Sequence, residues 1–165
     1  MKDPFHESDK ELILQVRKGR KESFRFIVDR YWSRLRSVIR RAVKSPELNE
    51  DLCQETFLKA FHKIDQFDTS RELCPWLMKI AFNLIAEHFR KSHQRFQFVP
   101  LNETDFPASS QSEPHEMLSR RMVFEECLDL LPEIYRVVFA LRHGMMFTLE
   151  EISFVLDEPL GTVKV

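Results

Sequence analysis

Between Phe24 and Ala42, apolar side chains recur at the spacing of a single helix face. They stand at Phe24, Ile27, Val28, Tyr31, Leu35, Val38, Ile39 and Ala42. Because an α-helix turns once in 3.6 residues, this spacing places all of them on one stripe that must be buried against other elements. Arginines occupy other positions of the same segment. The pattern predicts a long amphipathic helix whose stripe belongs to a packed core.

The rest of the chain favours the same class of fold. Other long segments also show apolar residues at helical spacing, only three glycines occur, and no stretch alternates in the manner of a strand. With 43% hydrophobic residues, a chain of 165 residues can pack one domain or two small ones. We predict an all-α protein of two small helical domains.

The predicted helices form two groups. The first group lies over about 8–19, 24–42 and 49–64, and from about Pro75 into the basic run RKSHQR; Ser8 and Glu11 can cap its first helix, and Gly19 ends that helix. Residues 94–115 carry three prolines and no helical periodicity, which is typical of a flexible linker. We therefore expect a four-helix domain over 1–95, a linker over 96–115, and a domain over 116–165 with three helices and the beginning of another.

Charge is divided unevenly between the two halves. Residues 1–95 carry 20 basic against 14 acidic side chains, whereas residues 96–165 carry 5 against 12. A basic half suggests contact with a polyanion. No apolar run approaches the roughly 18 residues that a membrane span needs, and the polar N-terminus is unlike a signal peptide. We predict a cytoplasmic protein without membrane insertion.

No residue cluster predicts a metal, a cofactor or an active site. The cysteines, Cys53, Cys74 and Cys127, lack the spacing of zinc ligands, and we expect them to be reduced residues of the core. The six histidines form no cluster. No nucleophile or pocket accompanies the carboxylates of the chain at a recognisable spacing, so we do not predict an enzyme.

The predicted third helix, DLCQETFLKAF, has a distinctive outer face. Five of its residues can face inward: Leu52, Cys53, Thr56, Phe57 and Ala60. Four others then share the outer stripe and are called the docking face below: Asp51, Gln54, Glu55 and Leu58. Two carboxylates, an amide and an exposed leucine on one stripe indicate a surface that binds a partner. The alternative is an ordinary solvated face.

The fourth predicted helix and the loop before it combine cations with aromatic rings. The outer face of the helix carries Lys79, Asn83, Glu87, Arg90 and Lys91, and the loop FDTSRE adds Phe67 and Arg71. Cations bind phosphates and exposed rings stack on unpaired bases, so this mixture suits a nucleic acid. The alternative for each ring is the core. We expect the core for Trp76 and Phe82, and a functional role for Phe67 because its loop is polar.

The last segment, TLEEISFVLDEPLGTVKV, has the outline of a helix-turn-helix. Thr148 and Glu151 can form a capping box, Glu158 and Pro159 break the first helix, and a second one opens near Gly161. In a helix-turn-helix that binds DNA, the second helix enters the major groove. The outline alone is weakly specific, because many three-helix domains share it.

Taken in order, these segments resemble the bacterial RNA polymerase sigma factors of the extracytoplasmic-function (ECF) group of the sigma-70 family. The resemblance rests on DLCQETFLK with AFHKIDQF, on PWLMKIAFNLIAEHFRK, on LPEIYRVVFALRHGMMFTLEEISFVL and on GTVKV, and covers nearly the whole chain from about Phe24. It implies a factor that binds core RNA polymerase and directs promoter recognition and DNA melting. It also implies truncation within the helix-turn-helix, since family members continue with Arg-rich turns.

The resemblance further implies roles for single residues. The docking face would bind the clamp helices of the polymerase. Six residues, called the minus-ten surface below, would hold the minus-ten element of the promoter: Phe67, Arg71, Lys79, Asn83, Arg90 and Lys91. Among them Phe67 would stack on a flipped base and Asn83 would hydrogen-bond its edge, while the cations would contact phosphates. Thr162 and Lys164 would lie in the major groove of the minus-thirty-five element.

Other functions stay open at this point. One is a sigma-like interaction module that binds an anti-sigma protein without recognising promoters, and another is a helix-turn-helix regulator that never binds polymerase, which would leave DLCQETF unexplained. The linker of roughly 22 residues can extend about 70 to 80 Å, enough to span promoter elements roughly 60 Å apart. A compact linker would keep the two domains together, as expected for a free or inhibited factor.

Overall fold

Residues 7–91, 127–128 and 130–164 are described by the computed structural model, and every regular element in these ranges is a helix. The helices are α1 Asp9–Arg17, α2 Phe24–Ala42, α3 Pro46–Lys63, α4 Leu73–Lys91, α5 Glu133–Phe139, α6 Leu149–Leu156 and α7 Leu160–Val163. Short 3₁₀ turns precede α2 and follow α3, and a π-helical segment, Ala140–Gly144, continues α5. The prediction of an all-α fold is confirmed.

Helix α1 begins and ends where the sequence predicts. The Ser8 hydroxyl accepts the Glu11 backbone N–H at 3.3 Å, and the Ser8 N–H donates to the Glu11 carboxylate at 2.8 Å, which completes a capping box. After the last turn, Gly19 adopts a φ of +92°, a left-handed conformation that glycine reaches without a steric penalty. The chain can therefore reverse direction into α2.

Helix α2 buries the predicted stripe. All eight of its members are buried except Val28, which is half-buried. The helix is tied to α1 by the Asp9 carboxylate, which accepts hydrogen bonds from Arg30 and from the Tyr31 hydroxyl. Burial, with the hydrogen bond to Asp9, raises the pKa of Tyr31. The tyrosine therefore stays protonated and keeps donating at physiological pH.

Helix α3 begins three residues earlier than the sequence analysis expects. Ser45 is its N-cap, with the hydroxyl accepting the Leu48 N–H at 3.2 Å, and Pro46 is its first residue. Proline fits this position because the first helical N–H has no partner inside the helix. Ser45 and Pro46, which the sequence analysis places between two helices, therefore belong to the start of the second one. The five residues expected to face inward are all buried. That part of the prediction is confirmed.

The cysteines only partly follow the expectation that all three belong to the core. Cys53 is buried and Cys74 half-buried, and burial raises the pKa of each thiol to about 11. Cys127 is exposed, so the expectation is wrong for this residue. The general tendency of cysteine to be buried says nothing about which face of a helix a particular cysteine occupies.

The helix-turn-helix outline is present in the C-terminal region. The Thr148 hydroxyl accepts the Glu151 N–H at 3.1 Å, and the Thr148 N–H donates to the Glu151 carboxylate at 2.7 Å, so the predicted capping box of α6 is confirmed. Helix α6 ends at Asp157, whose φ of +59° is left-handed. Pro159 then precedes the single turn of α7.

The C-terminal helices pack against the N-terminal four. Helix α5 lies against α2, and α6 lies against α4, so that Ile134, Leu141 and Ile152 share one buried cluster with the stripe of α2. The predicted linker and the start of the predicted second domain lie outside the described residues. None of the helices in the described ranges combines the length and the apolar character that crossing a bilayer requires.

The central position of α2 predicts a large loss of stability when its stripe is truncated. Leu35 is 0% exposed, and we expect Leu35→Ala to lower the free energy of unfolding by about 2 to 5 kcal/mol, because a cavity remains in the core. The control Leu14→Ala, at a position 38% exposed, is expected to cost less than about 1 kcal/mol. Urea unfolding followed by circular dichroism measures both, and equal losses would contradict this account of the core.

Candidate docking and nucleic-acid surfaces

The docking face is exposed along α3. Asp51, Gln54 and Glu55 are exposed, and the side chain of Leu58 is 61% exposed although leucine is normally buried. This follows from the packing of the opposite face, whose five residues are all buried. The Glu55 carboxylate lies 3.1 Å from Lys59 Nζ, which is also 3.8 Å from the Glu87 carboxylate on α4. The stripe thus presents negative charge beside an accessible apolar side chain.

The loop between α3 and α4 is held by a residue that sequence analysis missed. The Arg17 guanidinium, on α1, donates to the Ile64 carbonyl at 2.7 and 3.1 Å and also to the Phe67 carbonyl. A planar guanidinium with several donors can bind two carbonyls at once. The partners are 47 and 50 residues apart in the chain, so no local sequence pattern could have indicated this contact.

Phe67 lies inside this loop and not on its surface. Its side chain is only 5% exposed, and its ring packs on Trp76 with the ring centroids 4.9 Å apart. Further along the loop, Asp68 accepts the Ser70 N–H at 2.9 Å and the Ser70 hydroxyl at 2.7 Å, and these bonds lower the pKa of Asp68. Arg71 lies 3.6 Å from the same carboxylate. The loop is therefore ordered by its own side chains before any partner arrives.

A cavity of about 610 Å³ lies next to this loop. The loop and the start of α4 supply one part of its wall, and α6 supplies the other; the residues that matter below are Phe67, Arg71, Trp76, Glu150, Glu151 and Phe154. Trp76 is half-buried and takes part in this wall, whereas Phe82 is buried in the core as expected. Asn83 does not line the cavity, so the structure does not bring it together with Phe67 there.

The remaining members of the minus-ten surface lie along α4. Asn83, Arg90 and Lys91 are exposed. Lys91 Nζ lies 2.7 Å from the Glu87 carboxylate, and this hydrogen bond, with the positive charges of Lys91 and Lys59, lowers the pKa of Glu87. Lys79 differs from the others because its side chain is only 26% exposed and contacts the C-terminal region.

The two residues predicted to meet the minus-thirty-five element lie at α7. Thr162 is half-buried in its single turn, and Lys164, directly after it, is exposed. Val163 is buried against the core and anchors the turn. Packing, and not helix propensity, holds so short a helix, because nucleation of a helix is costly.

Comparison with known proteins identifies the family. The family model described as Sigma-70 region 2 matches residues 27–95, which include the docking face and the minus-ten surface. The chain is 31% identical to the ECF RNA polymerase sigma factor SigW of Bacillus subtilis (strain 168), over 94% of this chain and 88% of the relative. This chain belongs to the ECF sigma factors. The ECF RNA polymerase sigma-E factor of Escherichia coli (strain K12) is also 31% identical, over 95% of this chain and 87% of the relative.

Solved sigma-factor structures share the fold. CnrH, solved in complex with the cytosolic domain of CnrY, aligns with a TM-score of 0.65 and 21% identity over 96% of this chain and 88% of the other. The sigma factor RpoE of Bartonella quintana, solved with the anti-sigma factor NepR, aligns with a TM-score of 0.63 and 22% identity over 87% of this chain and 88% of the other. These two likenesses show the all-helical fold. That the chain is an RNA polymerase sigma factor, a regulator of transcription, rests on the relatives that are 31% identical.

The contact between Arg17 and the loop predicts a local effect of substitution. In Arg17→Met, the carbonyls of Ile64 and Phe67 lose their donor, and we expect amide hydrogen exchange over residues 64–71 to become at least about tenfold faster. The neighbouring exposed cation provides a control, since Lys18→Met should leave these rates unchanged. Unaltered exchange in Arg17→Met would show that the loop is held by other contacts.

Proposed function

We propose that this sigma factor binds core RNA polymerase through the docking face and then captures the opened minus-ten strand with the minus-ten surface. The single observation that carries the first half is the exposed stripe on α3, where a leucine that is 61% exposed lies among carboxylates. Burial of this leucine against a partner favours binding, because its apolar surface leaves water. The carboxylates around it favour a partner with positive charge. The proposed partner is the pair of clamp helices of the polymerase.

The second half rests on the chemistry around α4. Lys79, Arg90 and Lys91 on this helix, together with Arg71 in the loop, supply cations for phosphates, and Asn83 supplies an amide that can pair with a base edge. A flipped base needs an aromatic surface to stack on, and the half-buried ring of Trp76, packed on Phe67, supplies one on the side of the cavity that the loop and α4 form. A protein that binds unstacked strand better than duplex shifts DNA toward the melted state by that difference in affinity.

The domain organisation proposed from the sequence fits these roles. Residues 1–95 would form the polymerase-binding and minus-ten domain, and residues 116–165 would form the minus-thirty-five domain, joined by a linker over 96–115. In the second domain, Thr162 and Lys164 of the α7 region would approach the major groove. Separation of the two domains on the promoter would require α5 and α6 to leave the first domain.

An anti-sigma protein is the third proposed partner. CnrH was solved with the cytosolic domain of CnrY and the Bartonella RpoE with the anti-sigma factor NepR, and the present chain shares their fold. The packing of α5 and α6 against α2 and α4 favours a second candidate function, sequestration by such a partner without promoter recognition. Transcription from a matched promoter by polymerase with this chain, compared with polymerase alone, separates the two functions.

Reversal of charge on the docking face is expected to abolish polymerase binding. In the double variant Asp51→Arg with Glu55→Arg, affinity for core polymerase should fall about 100-fold or more, because like charges then meet at the interface. Both positions are exposed, so the melting temperature should change little.

The matched control carries the same change in charge on other exposed acids, Glu22→Arg with Asp29→Arg. It should bind polymerase like the parent protein in a fluorescence titration. Equal affinities for the two double variants would contradict the proposed role of the docking face.

Asn83→Ala is expected to weaken binding of minus-ten single strand in a manner that depends on the base. An amide that pairs with one base edge discriminates by about 1 to 3 kcal/mol, so oligonucleotides that differ at the flipped position should lose unequal affinity. Arg90→Ala, which removes a proposed phosphate contact, should weaken all of them alike. A uniform loss for Asn83→Ala in fluorescence anisotropy would reduce Asn83 to a contact with the backbone.

A further inference from the structure

Lys79, a proposed phosphate contact, is already bound by the C-terminal region. Its ammonium donates to the Phe154 carbonyl at 2.9 Å and lies 3.0 Å from the Asp157 carboxylate. The same nitrogen lies 4.5 Å from the centroid of the Phe154 ring. An ammonium has three donors and is attracted to the face of an aromatic ring, so these three groups fill its requirements together.

The three groups correspond to the parts of a nucleotide. A strand offers a cation an anionic oxygen, neutral oxygens and the face of an aromatic ring, and the end of α6 offers Asp157, a backbone carbonyl and Phe154. Phe154 also lines the cavity that Phe67 and Trp76 line from the other domain. The ring therefore lies beside the place that we propose for the flipped base, and the carboxylate lies at Lys79, where we place a phosphate.

One further feature makes the C-terminal end of α6 suited to the task. Asp157 takes the left-handed conformation that ends the helix, a position where glycine costs least, and the aspartate adds the carboxylate that reaches Lys79. Across the cavity as a whole the charges are not complementary, because Asp68 and Glu72 line it beside Arg71, opposite Glu150 and Glu151 of α6. The electrostatic match is confined to Lys79 and Asp157.

We infer that α6 binds the minus-ten surface as a mimic of the promoter strand, with Phe154 and Asp157 in place of a base and a phosphate. This inference rests on the proposed function of that surface. Strand and helix then compete for Lys79 and for the aromatic surface beside it. The apparent affinity for DNA is the intrinsic affinity multiplied by the fraction of molecules in which α6 is not docked. Because partly exposed ion pairs are weak, the docked helix remains displaceable by a strand or by a partner that moves the C-terminal region.

The test compares the full chain with variants in which the mimic is removed. Asp157→Asn removes the charge and keeps a residue that tolerates the left-handed conformation, and Phe154→Ala removes an exposed ring, so both variants should fold. Glu158→Gln makes the same change in charge one residue further on, where the side chain forms no ion pair within the described residues. It serves as the matched control.

The readout of docking must be local, because α5 packs separately on α2. The chain has two tryptophans, so a Trp32→Phe background leaves Trp76, in the cavity wall, as the only fluorophore of its kind. We expect acrylamide to quench Trp76 about twofold more efficiently in Asp157→Asn and in Phe154→Ala than in Glu158→Gln, since α6 no longer covers the ring. Unchanged quenching in both variants overturns the inference.

The second readout is affinity for a fluorescent minus-ten single strand in the absence of polymerase. We expect Asp157→Asn and Phe154→Ala to bind it about five- to tenfold more tightly than the control, because the competing helix is displaced. If quenching of Trp76 increases in the variants while their affinity for the strand stays that of the control, the inference that α6 competes with the strand is wrong. Absence of strand binding in a variant with increased quenching overturns the proposed minus-ten function and leaves docking of α6 supported.

Discussion

The buried stripe of α2 is the interaction on which the rest of the structure depends. Helices α1, α3, α4 and α5 all pack against this helix, and its central residues, including Ile27, Leu35 and Ile39, are fully buried. Each such side chain stabilises the fold by about 1.5 to 3 kcal/mol when it leaves water. Because α2 contacts helices from both ends of the chain, its stripe organises the N-terminal helices and also receives the C-terminal ones.

The exposed surfaces are consequences of this core. Helix α3 must turn Leu52, Phe57 and their neighbours inward, and its period then leaves the docking face outside, with Leu58 accessible to a partner. Helix α4 likewise buries Leu77, Leu84 and Ile85 and exposes Asn83 and the cations near its end. The chemistry proposed for polymerase and DNA binding is therefore located on faces that the fold could not bury.

One part of the minus-ten surface serves two partners in this account. In the structure the end of α6 binds Lys79 and α6 forms one wall of the cavity beside Phe67, and the proposed strand needs the same groups. Under the proposed competition, the factor binds promoter DNA weakly until its C-terminal region moves. Its affinity for DNA is then coupled to anything that separates the domains, and the coupling depends on two side chains of α6, Phe154 and Asp157.

Local interactions were predictable from the sequence, because they involve residues three or four apart. The stripe of α2, the capping boxes at Ser8 and Thr148, and the outward direction of the docking face all follow from the helical period. Contacts between distant segments were not predictable: the hydrogen bonds of Arg17 to the Phe67 loop and the docking of α6 on Lys79 appear only in the folded chain. The exposure of Cys127 was not predictable either, because it depends on which helix face the core covers. The sequence by itself determined which faces of the helices are apolar, since that depends on spacing alone. Only the tertiary structure decided which surfaces cover one another, because that choice depends on how helices far apart in the chain pack together.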